Sequence, residues 1–325
     1  MSNFSGKLRQ VGIGIESARG DAVSPGYWIK NLRVSHNDKR DYIKDESAMG
    51  IIAEAHDAVV AKEYGQGEIG GVLDATLAGY LFKNVLGSVA SALASGESAV
   101  YEHTFSLLNS NTHPSLTIET KNPVEQMKFS LAMIESLKIK CEVGKWVEFT
   151  ATYRSKKGAT ASNSPSYVDS YKFYSKMVTL KLASALAGLG AATAINIKSF
   201  EISFDQNLED EDKLGDTQVN DINNTFLAIE GNIEGTFSAD TLKTYFREGT
   251  TRALRLYIEN PTTIGTAEKP SLQINLAKVA FEDFEESDDL GAITQQTLKF
   301  TGLYSTSDSS IGTVVLTNTK ADYDS

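Results

Sequence analysis

Cysteine is almost missing from this chain of 325 residues, with Cys141 the single example. That excludes a disulfide framework and a thiolate metal cage, and it suits a reducing compartment. Cys141 sits in LKIKCEVGKW, a strand-like setting that fits a small buried hydrophobe better than a nucleophile. Histidine is scarce as well: His36, His56, His103 and His113 are scattered, none with a partner at zinc-ligand spacing. There is no Walker loop and no G-x-S-x-G elbow, and GIG at 12–14 lacks the third glycine and the helix of a dinucleotide loop. NLEDEDKLGD (207–216) has no glycine at the sixth place of a calcium loop, so it reads as a solvated acidic hairpin tip. No catalytic set, metal or cofactor is expected. Long apolar runs are also lacking. The most apolar stretch, Leu180 to Ile197, is interrupted by Lys181, Ser184, Gly188, Gly190 and Thr193, too polar to span a bilayer. The opening MSNFSGKLRQVGIGIE shows no signal-peptide core, so a cytoplasmic product is expected.

The chain can bury a proper core, with 41% hydrophobic and 22% charged residues. Its net charge of −11 is unevenly spread: residues 1–185 carry 21 Lys/Arg and 19 Asp/Glu, the remainder 10 and 23. An acidic second half argues against gripping nucleic acid, because phosphate contacts supply most non-specific affinity.

Most of the sequence alternates or is β-branched and aromatic between turn residues, which predicts strands. In the first half these are 11–16, 27–35, 58–64, 101–108, 115–121, 127–143 and 146–155; in the second, 171–183, 194–204, 225–237, 253–260, 271–284 and 292–305. Two segments predict helices. DATLAGYLFKNVLG (74–87) opens on an acid and places Leu77, Tyr80, Leu81 and Val85 on one face; SADTLKTYFREGT (238–250) offers Ser238 as cap and turns Leu242, Tyr245 and Phe246 inward.

The halves echo each other. IKNLRVS (29–35) answers IKSFEIS (197–203), GEIGG (67–71) answers GNIEG (231–235), and Thr76-Leu77-Tyr80 answers Thr241-Leu242-Tyr245. SLTIETK (115–121) answers SLQINLA (271–277), and FTATY (149–153) answers FTGLY (300–304). The order is kept while the offset drifts from 168 to 151, as loop-length differences allow, so an internal duplication is predicted. The predicted division is 1–160 for the first copy, 161–166 for a linker and 167–325 for the second copy.

Two strand-rich units have several sheet edges to cover, charge or pair. The stretch HNDKRDYIKDESAMGIIAEAHD (36–57) is too long for a tight hairpin and mixes charges with Tyr42, Ile43, Met49, Ile51 and Ile52. A long loop of that composition is expected to order against a partner.

With VGIGIESARGDAVSPGYWIKNLRVS (11–35), the helix after GEIGG, and MVTLKLASALAGLGAATAINIKSFEIS (177–203), the chain resembles the tail tube proteins of long-tailed bacteriophages (siphophages). The resemblance implies a mainly β fold. Each copy would be a β-sandwich of two packed sheets with one flanking helix, and inner sheets would join between subunits into a continuous β-barrel. It implies a structural, non-enzymatic virion protein, stacked as rings into a tail tube that conducts the genome at infection. The 36–57 segment (His36, Asp38, Arg40, Tyr42, Ile43, Met49, Ile51 and Ile52) matches the stacking loop by position; its counterpart near 205–224 is shorter and more acidic. Other copies of the chain, a tape-measure protein and tail-end proteins are the implied partners. Double-stranded DNA would pass without sticking, and no membrane is involved.

Within that picture Glu201, Asp205, Glu230 and Glu234 are candidate lumen acids, although alternation is expected to put about half of them on the wrong face. One unit of about eight strands closes to only ~16 Å across, whereas ~24 strands tilted ~45° give ~50 Å across the backbone and ~40 Å inside the side chains. With about four inner strands per unit, a duplicated chain closes the ring as a trimer of pseudo-sixfold symmetry. Two other readings stand beside this one: the inner tube of a contractile injection or secretion system, and a β-rich adhesin or carbohydrate-binding module. The latter wants an exposed aromatic platform, whereas Trp28 and Trp146 both sit inside strand patterns.

Overall fold

The computed structural model describes residues 3–237, 241–287 and 293–324. The first half contains β1 (Gln10–Ile15), β2 (Tyr27–Ile29), β3 (Asn31–Asp45), β4 (Asp57–Val72), α1 (Leu77–Leu86), β5 (Gly87–Leu93), β6 (Tyr101–Leu107), β7 (Leu116–Lys121), β8 (Gln126–Glu142), β9 (Glu148–Ser155) and β10 (Ala159–Thr160). The second contains β11 (Val178–Ala183), β12 (Ala194–Ile195), β13 (Ser199–Glu211), β14 (Asp221–Thr236), α2 (Thr241–Arg247), β15 (Arg252–Glu259), β16 (Ser271–Ser287), β17 (Gln295–Leu303) and β18 (Gly312–Asn318). Every pairing between these strands is antiparallel, and the class is mainly β, consistent with a β-sandwich.

One layer is an eight-stranded sheet in the order β3–β4–β9–β8–β13–β14–β17–β16. Two sheets cover it, β2–β1–β7–β8–β10 and β12–β11–β15–β16–β18–β6–β5. β8 and β16, each 17 residues long, belong to both layers. β8 changes layer at Leu131, whose φ of 53° lies in the left-handed region. The buried Glu16 carboxylate holds this bend: it accepts from the Leu131 N–H at 2.9 Å, the Gly20 N–H at 2.7 Å and the Ser115 and Thr117 hydroxyls. With every oxygen satisfied, its burial is tolerated.

α1 is buried along all ten residues, between β8 and the β5–β6–β18 side of the covering sheet. Asp74 starts it, accepting the Thr76 and Leu77 N–H groups at 2.9 Å. Phe82, completely buried, meets Phe105 and Phe204, and a burial of that kind contributes roughly 1.5–3 kcal/mol. α2 is shorter and packs on β16, with Tyr245 stacked on Phe281 and Phe246 on Phe284. The cap predicted at Ser238 lies outside the described residues.

The second half repeats the pairing of the first. β1 lies between β2 and β7 as β11 lies between β12 and β15, and β7–β8–β9–β4–β3 matches β15–β16–β17–β14–β13. β10 sits on β8 as β18 sits on β16. The β5–β6 hairpin is extra, and it pairs with β18.

Residue by residue, three of the sequence echoes need correction. SLTIETK is β7, whose place in the second half is taken by β15, not by SLQINLA at the start of β16. Tyr153 lies opposite Gly67 and Phe300 opposite Gly231, so FTATY corresponds to QTLKF (296–300) rather than FTGLY. Val34 faces Ile69 as Phe200 faces Ile233, two residues away from the alignment of IKNLRVS with IKSFEIS. Leu32, the echo partner of Phe200, is 63% exposed. A bulge between Asn31 and Arg33 absorbs part of the shift.

Candidate assembly interface

Alternation along the eight-stranded sheet turns one face to the core and leaves the other open. On β13, Phe200, Ile202 and Phe204 are buried while Ser199, Glu201, Ser203 and Asp205 face outwards. The register sets Glu234 opposite Ser199 and Glu230 opposite Ser203. All four candidate acids therefore share the open face, where the sequence suggested only half of them would. The reason is even spacing: 201 and 205 lie on one strand, 230 and 234 on the next, with an odd–even match between strands. Glu201 meets Lys138 at 2.8 Å, Glu234 accepts from Ser199, and Asp205 accepts from Ser203.

Charge on this face differs between the halves. The first-half strands present Arg33, Lys39, Lys138, Lys140 and Arg154 against Glu68, Glu142 and Glu148. The second-half strands present Glu201, Asp205, Glu230, Glu234, Glu282, Asp283 and Glu285 against Lys278 and Lys299. Lys138, Glu201, Glu230, Glu282 and Lys299 line one shallow depression.

The sheet ends in two free edges. Among the described residues β3 pairs with β4 alone, and β16 from Ala280 onward pairs with β17 alone. Between the halves the equivalent edges are already joined, β8 to β13, from Ser136 opposite Asp205 to Glu142 opposite Ser199.

The first half of the segment predicted as a loop over 36–57 is strand, the outgoing arm of a β-ribbon whose tip is 46–56. β3 and β4 stay paired out to Asp45 and Asp57, and the charged stretch HNDKRDYIKD is strand because its partner supplies the ladder. Its base is fixed within the chain. His36 stacks on Phe129 and hydrogen-bonds the Tyr153 hydroxyl at 3.0 Å, and Asp38 accepts from the Gly158 N–H. Arg40 and Lys157 both reach Glu63, at 2.6 and 2.9 Å. Burial pushes the His36 imidazole down to about 4, with Asp38 opposing that shift. Beyond this base, Tyr42, Ile43, Met49, Ile51 and Ile52 are all exposed, as is Val59.

The second ribbon, β13–β14, is tied down. Lys62 of the first ribbon reaches Asp210 and Asp212 at 2.8 and 2.9 Å, and the Glu63 N–H donates to the Thr217 carbonyl. Arg19 holds Asp221 at 2.5 Å and the Ile222 carbonyl at 2.7 Å.

Cys141 is buried and free, its thiol pushed up to about 11 by burial. Trp28 is buried, but Trp146 is 50% exposed, edge-on to Tyr174 with the Lys172 ammonium over it, so it is not locked inside a strand. The stretch read as a linker, 161–166, is pinned at Asn163, which donates to Glu119 and accepts from Gln126 and Ser24. Sequence reasoning missed the C-terminal tail. Tyr323 is completely buried against Tyr80, His103 and Phe105, donating to the Thr76 carbonyl and accepting from Asn318, while Lys83 holds Asp324 at 2.5 Å. Its one signal is a lone tyrosine in a polar terminus.

Among the described residues no helix is long and apolar enough to cross a membrane, and no group of three or more metal-ligating side chains comes together. No curated protein matches the chain. The model of the phage tail tube protein family matches residues 6–311, which makes this a structural component of a virion tail and points to a non-enzymatic part. By a match of that extent, the chain belongs to the phage tail tube protein family.

Proposed function

We propose that this chain polymerises into the tail tube of a siphophage, three copies closing each ring and rings stacking into a tube whose acidic lumen passes double-stranded DNA at infection. The observation that carries the reading is the pair of free edges on a sheet that already contains, at β8–β13, an edge-to-edge junction of the same kind. Joining β16 of one copy to β3 of the next continues the sheet without a break. Each chain adds eight strands, so three copies reach the ~24 that clear a duplex. The repeated pairing supports reading 1–160 and 167–325 as copies of one unit, which gives the ring pseudo-sixfold symmetry. The open face becomes the lumen, and its acids keep DNA moving by repelling the phosphates. The exposed ribbon tip, Tyr42 to Ile52, reaches the neighbouring ring. A tape-measure protein fills the lumen during assembly in the host cytoplasm, and tail-end proteins close the tube.

Cryo-electron microscopy of the purified protein tests the reading. Rings or tubes are expected, and threefold averaging should resolve side chains where sixfold averaging blurs them. Persistent monomers at high concentration, or one chain per sixth of a true sixfold ring, would contradict it.

A further inference from the structure

Resting on the tube reading above, we infer the register at which neighbouring chains join: β16 of one copy pairs antiparallel with β3 of the next, with Asp283 opposite Lys39, Glu285 opposite Asn37 and Ser287 opposite Ser35. The register follows from the chain's internal junction. In the first half Ile134 faces Tyr153, β8 then skips Glu135, and pairing resumes with Ser136 opposite Thr152. In the second half Phe281 faces Phe300, β16 skips Glu282, and pairing resumes with Asp283 opposite Lys299. Ser136, Lys138 and Lys140 therefore correspond to Asp283, Glu285 and Ser287. On the other edge Val34 holds the place of Phe200, so Ser35, Asn37 and Lys39 correspond to Glu201, Ser203 and Asp205. The internal junction sets Ser136 opposite Asp205, Lys138 opposite Ser203 and Lys140 opposite Glu201. Replacing each residue by its counterpart gives the stated pairs.

The chemistry of the two junctions differs in the way this assignment requires. On the core side the internal junction pairs Leu137 with Phe204 and Ile139 with Ile202, all buried. At the corresponding free positions stand Phe284 and Asp38, then Glu286 and His36. An edge that is always covered can be apolar, whereas an edge that waits for a partner is protected by charge against indiscriminate pairing. Glu286 is held by Lys243 at 2.5 Å and Asp38 by the Gly158 N–H, so neither charge lies unpaired before assembly. On the open side Asp283 meets Lys39; a shift of two one way would bring Glu285 to Lys39 but set Asp283 against Asp41, and the other way would leave Asp283 and Glu285 opposite Asn37 and Ser35, so charge favours this register.

Cysteine pairs read the register directly, because directly opposed strand positions lie within disulfide reach and diagonal ones beyond it. Glu285→Cys with Asn37→Cys in one chain, assembled and then mildly oxidised, should give covalent trimers on a non-reducing gel. The shifted pairs Glu285→Cys with Ser35→Cys and Glu285→Cys with Lys39→Cys should give several-fold less, and each single variant controls for the buried Cys141. Independently, Asp283→Lys should block ring closure and adding Lys39→Asp should restore it. Tubes visible by microscopy in which a shifted pair crosslinks best, or in which Asp283→Lys assembles normally, would overturn the register and leave the tube reading standing. Wild-type chains that form no rings would overturn both.

Discussion

The ring of Phe300 lies over the Cα of Gly231, and the ring of Tyr153 lies over Gly67 in the same way in the first half. A Cβ at Gly231 would run into that ring and the Glu201 carbonyl; at Gly67 it would meet Tyr153 and the Ser35 carbonyl. Both glycines sit mid-strand, where the missing side chain is what lets the aromatic close down on the sheet. Gly231→Ala and Gly67→Ala are each expected to cost about 1–3 kcal/mol in urea unfolding. The double variant Gly231→Ala/Phe300→Ala should cost less than the two single changes added, since removing the ring removes the clash. Simple additivity would mean the ring is not what excludes a side chain there.

This pairing also explains how far the sequence could be read. Strand periodicity is two, so a shift of two or four residues leaves every side chain on its own face. FTATY and FTGLY look alike at a four-residue slip, and no pattern in the letters reveals it. Gly67 and Gly231 are the better anchors because their requirement is steric. The ribbon was hidden for a different reason: both its faces meet water near the tip, so β3 beyond His36 carries no apolar alternation. β5 and β18 escaped notice because GSVASAL and GTVVLTN are short and small-residued, and they become strands by lying beside β6 and β16. The four acids were legible as residues, while their common face needed the register.

The ribbon tip separates stability from assembly. Met49, Ile51 and Ile52 are exposed, so changing all three to Ser should move the melting temperature of the free subunit little, exposed positions being typically within about 0.5 kcal/mol. Tube elongation should fail all the same. Deleting 47–55, which leaves Glu46 and His56 as a two-residue loop between the paired Asp45 and Asp57, should behave alike. Long tubes from either variant would remove the stacking role.

Stability should depend on pH through His36. The folded chain holds its imidazole at about 4, below the ordinary 6.5, because burial against Phe129 and Tyr153 outweighs Asp38 at 3.7 Å. As pH falls below 6.5 the unfolded chain takes up this proton first. Stability present above that value is therefore lost progressively until the folded ring protonates near pH 4, a loss on the order of 3 kcal/mol. Hydrogen exchange at the base of β3 and β4, divided by the intrinsic amide rate at each pH, should rise from pH 7 to 4.5 in the wild type and stay flatter in His36→Phe. Equal rises in both proteins would assign the effect to other groups.

The C-terminal tail should act as a clasp on the first half. Tyr323 fills a site between α1 and β6, and its hydroxyl ties Thr76 to Asn318. Tyr323→Ala should cost about 3–5 kcal/mol, as for other buried aromatic truncations. Phe at this position keeps the ring and should cost only the hydrogen bonds, roughly 1–2 kcal/mol. Exchange protection should fall first in α1, although the substitution lies more than two hundred residues away in sequence. Loss confined to β18 would mean the tail stabilises its own strand alone.

The open face gives the most direct test of passage. Its second-half strands carry seven acids against Lys278 and Lys299, while its first-half strands carry Arg33, Lys39, Lys138, Lys140 and Arg154 against Glu68, Glu142 and Glu148. If this face lines the lumen, the acids mask the basic residues from DNA, and three acidic stripes run along a trimeric tube. Changing Glu201, Asp205, Glu230 and Glu234 to Gln leaves the core side of β13 and β14 untouched, so subunits should fold and assemble. It also frees Lys138 from Glu201. Tubes of this variant should retain duplex DNA in co-sedimentation at low salt where wild-type tubes do not. Retention should fall steeply as salt rises, because each phosphate contact releases counterions with a slope of about −0.9 per contact in a log–log plot. Tight binding of duplex by wild-type tubes at ordinary salt would place the acidic face somewhere other than the channel.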